Sequence, residues 1–249
     1  DPGVHLDELR AVAAGLPAPT AAVHTHAHWD HVLWCRELGE LVPRFVTAGT
    51  AAYLAGRRAE VLTEVDAHAE GHDDDQLLAL GEALADGAEV PWTGPAALLI
   101  ETAAHLPGHG TLHLPELGLL VAGDLVSDVD VPFPHWSEEV GADTHAREYA
   151  GPDGLPAYRA GLDCIAHLQP VTLVIPGHGA PTDRAGFLAR LDDDRRYLDA
   201  LEQAVRSASS AADAVERADR IPDRRLANPA VRRAHQDSAL SLFRRLADW

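Results

Sequence analysis

Four histidines and an aspartate lie within nine residues near the start of the chain, directly after a short apolar run. The segment reads Val23-His24-Thr25-His26-Ala27-His28-Trp29-Asp30-His31. Neutral imidazole and carboxylate are the ligands that borderline divalent metals such as zinc prefer. Histidines crowded together without a metal would repel one another when protonated and would compete for few hydrogen-bond partners. The segment therefore predicts a metal site at the carboxyl end of a strand, where α/β sheets usually hold their sites.

Further candidate ligands follow other apolar, strand-like segments, each in a glycine-rich turn: His109, Asp124 and His178. Alone, each of these residues is ambiguous, but the ends of neighbouring strands converge at one edge of a sheet. Residues two apart in an extended chain point the same way, so His26 and His28 suit one metal. Asp30 and His31 come after the turn and suit a second metal. The combination predicts a two-metal hydrolytic site, with His24 and His105 as candidates for supporting roles around it.

The order of the predicted elements is typical of an α/β protein. Apolar, β-branched runs predict strands at residues 20–24, 44–48, 97–103, 111–114, 118–122 and 171–175. Helical patterns cover residues 32–41, 50–58, 76–85 and 155–168, followed by a helical C-terminal region over 182–249. We expect one domain over 1–249. Residues 64–75 are predicted to form a surface loop, and the irregular stretch 127–154 a lid or substrate-binding loop.

Composition excludes several function classes. The chain carries 20 basic and 39 acidic residues, a formal net charge of −19, which would repel nucleic acid. No stretch reaches the roughly 18 apolar residues of a membrane span, so no membrane partner is expected. Its two cysteines, Cys35 and Cys164, suggest no disulfide framework and fit a reducing, cytoplasmic location. We therefore expect a small-molecule substrate.

The motifs together resemble the metallo-β-lactamase superfamily over nearly the whole chain. The segments that carry the resemblance are His26-x-His28-x-Asp30-His31, Pro107-Gly108-His109, Gly123-Asp124 and Pro176-Gly177-His178-Gly179. The resemblance implies an αββα sandwich. It also implies that His26, His28 and His109 hold a first metal, that Asp30, His31 and His178 hold a second, and that Asp124 bridges both.

The start of the chain departs from the family pattern. Asp1-Pro2-Gly3 looks like a turn that follows at least two strands in relatives. The resemblance therefore implies that these N-terminal strands are missing here, which would leave an open sheet edge.

The mechanism implied by the resemblance is hydrolysis by a hydroxide that bridges two divalent ions. The ions are expected to be zinc, with iron or manganese as alternatives, and Asp30 is a candidate to orient the nucleophile or accept its proton. True β-lactamases commonly use Cys, or lack a bridging carboxylate, where this chain has Asp124. The glyoxalase II and lactonase branches are the better match, which favours a small ester, thioester or lactone as substrate.

Two other functions remain open at this point. A persulfide dioxygenase of the same fold would use a single iron held by the first ligand set. A non-catalytic metal-binding module would keep the ligands without turnover.

Overall fold

A computed structural model describes residues 6–68, 81–102, 104–134 and 154–247. Two sheets organise this part of the chain. The first contains β1 (Ala22–Val23), β2 (Arg44–Thr47) and β3 (Glu82–Leu84), all parallel and paired in that order. Strand β1 of this sheet ends where the histidine-rich segment begins, because His24 directly follows Val23.

The second sheet has six strands in sequence order. They are β4 (Ala88–Glu89), β5 (Leu98–Glu101), β6 (Gly110–Leu114), β7 (Leu119–Gly123), β8 (Leu173–Pro176) and β9 (Thr182–Asp183). Neighbours are antiparallel except for β7 and β8, which are parallel. The parallel pair brings the carboxyl ends of β7 and β8, and with them Asp124 and His178, to the same edge.

Seven α-helices accompany the sheets in the described residues. They are α1 (Leu6–Gly15), α2 (Trp29–Val32), α3 (Ala48–His68), α4 (Gly154–His167), α5 (Arg184–Arg206), α6 (Ala211–Ala218) and α7 (Pro229–Ala247). Helix α3 is kinked at Arg57. Short 3₁₀ turns lie at Arg36–Leu38, Pro115–Leu117 and Arg224–Ala227.

Side-chain alternation along the strands builds the layers. In β2, Phe45 faces the second sheet and packs with Leu99 and Leu114, whereas Val46 faces the opposite way, toward Tyr53 of α3. Successive residues of a strand point to opposite faces, so one strand contributes to two apolar layers.

The second sheet uses the same alternation. Leu119 packs into the layer between the sheets, while Leu120 and Ala122 contact the core formed with Leu162 and Ile165 of α4. Each sheet is thus covered by helices on its outer face and by the other sheet on its inner face. This is the αββα arrangement that the resemblance implied.

Several predicted elements are confirmed. They are the strands at 44–48, 97–103 and 171–175, the hairpin of 111–114 with 118–122, and the helix at 155–168. The helix predicted at 50–58 is present but runs on to His68, so the predicted loop at 64–75 is wrong over 64–68. Residues 69–75 lie outside the described part.

Two helix predictions are wrong where the structure describes them. Residues 32–41 contain the last residue of α2 and one 3₁₀ turn instead of a helix. Residues 82–84 form strand β3 instead of continuing a helix from Gln76, because they pair with β2. Of the predicted loop 127–154, residues 127–134 have no regular secondary structure and 135–153 lie outside the described residues.

The C-terminal region contains α5, α6 and α7, as its apolar periodicity predicted. No helix in the described ranges has both the length and the apolar character needed to cross a membrane.

Candidate metal centre

The turn after β1 presents the first histidines. The backbone N–H of Gly110 donates a hydrogen bond of 2.7 Å to the carbonyl of Thr25, which ties this turn to the start of β6. The Thr25 hydroxyl lies 3.1 Å from His26 Nδ1, so the ring's other nitrogen, Nε2, faces the site. Helix α2 then begins at Trp29 and carries Asp30 and His31 on its first turn.

A first group of donors contains His26, His28, His105 and Asp124. His28 Nδ1 lies 3.0 Å from His26 Nε2 and 3.1 Å from His105 Nε2. Asp124 Oδ2 lies 3.2 Å from His105 Nε2 and 3.6 Å from His26 Nε2. Three imidazoles and one carboxylate oxygen therefore converge on one point.

A second group contains Asp30, His31 and His178. Asp30 Oδ2 lies 3.2 Å from His178 Nε2 and 3.5 Å from His31 Nε2. The two ring nitrogens are 3.4 Å apart. Helix α2 and the turn after β8 thus supply one donor set, although His31 and His178 are 147 residues apart along the chain.

Asp124 lies between the two groups. Its Oδ1 is 3.1 Å from His31 Nε2, and its Oδ2 is 3.5 Å from His178 Nε2 as well as close to the first group. The side chain is only 10% exposed. One carboxylate therefore reaches donors of both groups, which is the position of a bridging ligand.

The donor set fits divalent metal ions. Ligand atoms about 2.0–2.1 Å from a tetrahedral zinc ion lie roughly 3.3 Å apart, close to the separations found in both groups. Within each group all donor atoms lie within 4.8 Å of one another. Imidazole nitrogen and carboxylate oxygen suit zinc, iron or manganese, so chemistry and spacing agree.

Burial keeps the imidazoles of His26 and His28 neutral, because it lowers the pKa of each, and a neutral imidazole can bind a cation. Desolvation lowers the pKa of His28 to about 3 and holds the pKa of His26 well below its usual value. Neighbouring imidazoles lower both pKa values further.

The pKa values of the two carboxyl groups are set by neighbouring histidines more than by burial. Burial would raise the pKa of Asp124, but the facing His31 and His26 hold it well below its usual range. At Asp30 burial likewise raises the pKa, but the contacts with His178 and His31 outweigh it, so the pKa is lowered. Hydrogen bonds to Asp124 and Asp30 raise the pKa of His178 to about 10. The two carboxylates thus stabilise a positive charge placed between them. A bound divalent cation would supply such a charge.

The structure brings together six of the sequence-predicted ligands: His26, His28, Asp30, His31, Asp124 and His178. It does not place His109 in either group. His109 Nδ1 lies 2.7 Å from the Thr102 hydroxyl, and His109 Nε2 accepts a hydrogen bond of 3.1 Å from the backbone N–H of Asp124. Both ring nitrogens of His109 therefore have hydrogen-bond partners, although its ring lies beside the first group, 5.1 Å from the ring of His26.

His105, which the sequence suggested only for a supporting role, lies in the first donor group, where the resemblance implied His109. It comes before the sharp Pro107-Gly108 turn, whereas His109 comes after it and continues into β6. The backbone N–H of Thr102 donates to the His109 carbonyl at 2.7 Å, which extends the β5–β6 ladder to His109. The two rings have different partners: His105 Nε2 lies among the donor atoms of the first group, whereas His109 Nε2 faces the backbone N–H of Asp124 beside them.

Backbone contacts hold Asp124 from both sides. Besides the bond from its N–H to His109, its carbonyl accepts a hydrogen bond of 3.3 Å from the Tyr158 hydroxyl of α4. Gly177 leaves room beside the carboxylate, since a Cβ there would lie 2.4 Å from Asp124 Oδ1. The site is thus built on strand ends and braced by the buried face of α4.

Other histidines have separate partners. His24 Nδ1 lies 2.8 Å from the carbonyl of His31, so it supports the backbone of a candidate ligand. His113 contacts the carbonyl of Pro170, and His235 contacts the Tyr197 hydroxyl, so neither belongs to a donor group.

Comparison with known proteins agrees with this fold. Residues 1–209 match the family model of the metallo-beta-lactamase superfamily. A beta-lactamase domain protein from Burkholderia ambifaria is 20% identical with a TM-score of 0.63, and the match covers 97% of this chain and 75% of that one. The metallo-beta-lactamase family protein TTHA1429 from Thermus thermophilus is 18% identical with a TM-score of 0.64, covering 97% and 81%.

A third solved structure, TTHA1623 in a di-iron-bound form, is 27% identical with a TM-score of 0.53. That match covers 77% of this chain and 85% of the other. A search of curated proteins found no match. The family model covers most of the chain and the similar structures share its fold, so the chain belongs to the metallo-β-lactamase superfamily.

Proposed function

We propose that this protein is a metal-dependent hydrolase with a dinuclear centre, acting on a small ester, thioester or lactone. In this proposal His26, His28 and His105 hold one ion, and Asp30, His31 and His178 hold the other. Asp124 is shared.

The observation that carries the proposal is the position of the Asp124 carboxylate. One oxygen faces His31 at 3.1 Å and the other faces His105 at 3.2 Å, so the two donor groups meet at a single side chain. Two groups that share a carboxylate are the arrangement expected of a two-metal hydrolytic site. A single-ion site would need only one of them.

Divalent ions at such a site acidify a coordinated water near neutral pH and polarise the oxygen of a bound carbonyl group. The chain's own residues supply the rest. Asp30, whose pKa is lowered, is ionised and faces His178 at 3.2 Å, where it can accept a hydrogen bond from the water and orient it. His24 and Thr25 hold the rings of the ligands in place through bonds to the backbone of His31 and to His26.

Zinc is the ion that we propose, because three imidazoles with a carboxylate form a preferred zinc donor set. Iron is the alternative, and the di-iron-bound form of TTHA1623 supports it. Affinities at such sites follow the metal more than the site, so the bound metal has to be measured.

A small uncharged or weakly charged substrate fits the charge of the chain. A net charge of −19 repels polyanions, which supports the expectation of a small molecule over nucleic acid.

The proposal is tested with a panel of esters, thioesters and lactones, assayed with the metal-loaded protein and with the Asp124→Ala variant as the matched control. We expect hydrolysis of at least one class that is lost with chelator, regained with added metal, and reduced at least about a hundredfold in the variant. Equal turnover by the Asp124→Ala variant would contradict a shared catalytic carboxylate.

The persulfide dioxygenase alternative predicts a different outcome. It requires about one iron per chain and consumption of oxygen with a persulfide. The complete second group, Asp30, His31 and His178, favours the hydrolase only modestly, because these residues persist in relatives that use a single iron, and the metal count decides between the two.

A further inference from the structure

The turn directly after the shared carboxylate is strained. Among the residues that the structure describes, Val126 is the only one other than glycine with a positive φ, at 55°. This region of backbone conformation is strongly disfavoured for a β-branched residue. Such a conformation persists only where the surroundings hold it, and Val126 lies two residues after Asp124.

A buried ion pair from the C-terminal region holds this turn. Asp194 of α5 and Arg225 of the last 3₁₀ turn are both buried, and Arg225 Nη1 donates to Asp194 Oδ1 at 2.6 Å. The Asp194 carboxylate also accepts a hydrogen bond from the backbone N–H of Val126. Arg225 Nη1 lies 3.2 Å from the carbonyl of Ser127 and 3.1 Å from that of Asp130. The pair thus contacts the backbone of the loop at three points.

The orientation of Arg225 is fixed from its other side. Its Nε and Nη2 donate to the carboxylate of Asp223 at 3.0 Å and 2.8 Å. The planar guanidinium therefore serves two carboxylates and two carbonyls at once, which an ammonium group cannot do in the same geometry.

A second arginine ties the same loop to the turn that carries His178. Arg190 of α5 donates to the carbonyls of Val126 at 3.3 Å and Ala180 at 2.8 Å. Asp128 in turn accepts a hydrogen bond of 2.9 Å from the backbone N–H of Ala180. Both ligand-bearing turns therefore rest on α5.

We propose that Arg225 and Asp194 are positioning residues for the metal centre. The buried pair holds the strained turn at Val126, and thereby places the Asp124 carboxylate between the two donor groups. Arg225 lies beyond residues 1–209, the part that matches the family model, so this contact comes from outside the matched region. The inference rests on the proposed role of Asp124 as a shared ligand.

The test compares two variants with a control. Arg225→Lys keeps the charge opposite Asp194 but loses the forked contacts to the loop. The double variant Arg225→Met with Asp194→Leu removes both charges of the buried pair, and the Asp223 carboxylate that also loses Arg225 is 15% exposed and can be hydrated. Arg195→Lys is the matched control, because Arg195 is a half-exposed residue of the same helix that pairs with Asp163.

The measurement is the Kd for each of two zinc equivalents, from competition with a chromophoric chelator, on proteins whose folding is checked by circular dichroism and melting. We expect at least one equivalent to bind about tenfold more weakly in both variants, and the control to bind like wild type. A purely structural role would lower the melting temperature but leave both Kd values unchanged.

Two results would overturn the inference. One is wild-type affinity for both equivalents in folded Arg225→Lys. The other is an equal loss of affinity in Arg195→Lys, which would make the effect unspecific. A wild-type protein that binds fewer than two ions would instead contradict the proposed function itself, and the inference with it.

Discussion

His105 and His109 are four residues apart, yet their ring nitrogens face different partners. His105 Nε2 faces His28 and Asp124, whereas His109 is bonded to Thr102 and to the backbone of Asp124. In the proposed centre a ligand and a supporting residue thus share one turn, and substitution of each should have a different effect.

We predict that His105→Gln lowers bound metal to about one ion per chain, because it removes one donor of the first group. His109→Gln should keep both ions, since an amide oxygen can still accept the hydrogen bond from the Asp124 N–H. Elemental analysis of both purified variants checks this. Loss of metal in His109→Gln with full metal in His105→Gln would restore the assignment made from sequence.

The dense motif from His26 to His31 could be predicted to bind metal from sequence alone, because its residue types and spacing allow few other functions. The choice between His105 and His109 as a ligand could not be made from the sequence. Both flank the same Pro-Gly turn, and only the contacts of the rings distinguish them: His105 Nε2 faces His28 and Asp124 Oδ2, whereas His109 Nε2 faces the backbone N–H of Asp124.

The turn between β5 and β6 is positioned by the start of α3. The hydroxyls of Thr47 and Thr50 both donate to the carbonyl of Gly108, the latter at 2.7 Å. Gly108 has a φ of 80°, and a Cβ there would lie 1.9 Å from the backbone nitrogen of Thr50. The turn between β5 and β6 therefore tolerates no side chain at position 108.

We predict that Gly108→Ala lowers the free energy of unfolding by about 3 kcal/mol or more, because it adds a backbone clash to an unfavourable φ. Gly87→Ala is the control, since Gly87 has a φ of 71° but open space around its Cβ. It should cost only about 1 kcal/mol. Denaturant unfolding measures both, and equal costs would mean that α3 moves aside without penalty.

Strands were predictable where apolar runs are bounded by glycine or proline, as in the hairpin of β6 and β7. Strand β3 was not, because its three residues are half or fully exposed and gain their conformation from pairing with β2. The helix predicted at 32–41 was also wrong because of tertiary packing. Leu33 and Trp34 are buried beside α3, and this packing overrides the local helix propensity.

At the scale of the molecule, the centre joins distant parts of the chain. Its donors come from the end of β1, helix α2, the turn after β5, and the ends of β7 and β8. These donors come together only in the folded protein. Metal ions that bind them therefore stabilise the folded state.

We predict that removal of metal with a chelator lowers the free energy of unfolding by about 2.7 kcal/mol for each bound ion, relative to protein with free metal at a hundredfold excess over each Kd. Calorimetry with and without added zinc measures the shift. An unchanged melting temperature would show that the donor groups do not bind metal in the folded state.

The most direct test of the account is the number of metal ions per chain, measured by elemental analysis on protein purified without chelators, for wild type and Asp124→Ala. The account predicts about two ions in wild type and a loss of metal from both groups in the variant, because both donor groups meet at this carboxylate. One ion or none in wild type, or two retained in Asp124→Ala, would contradict it.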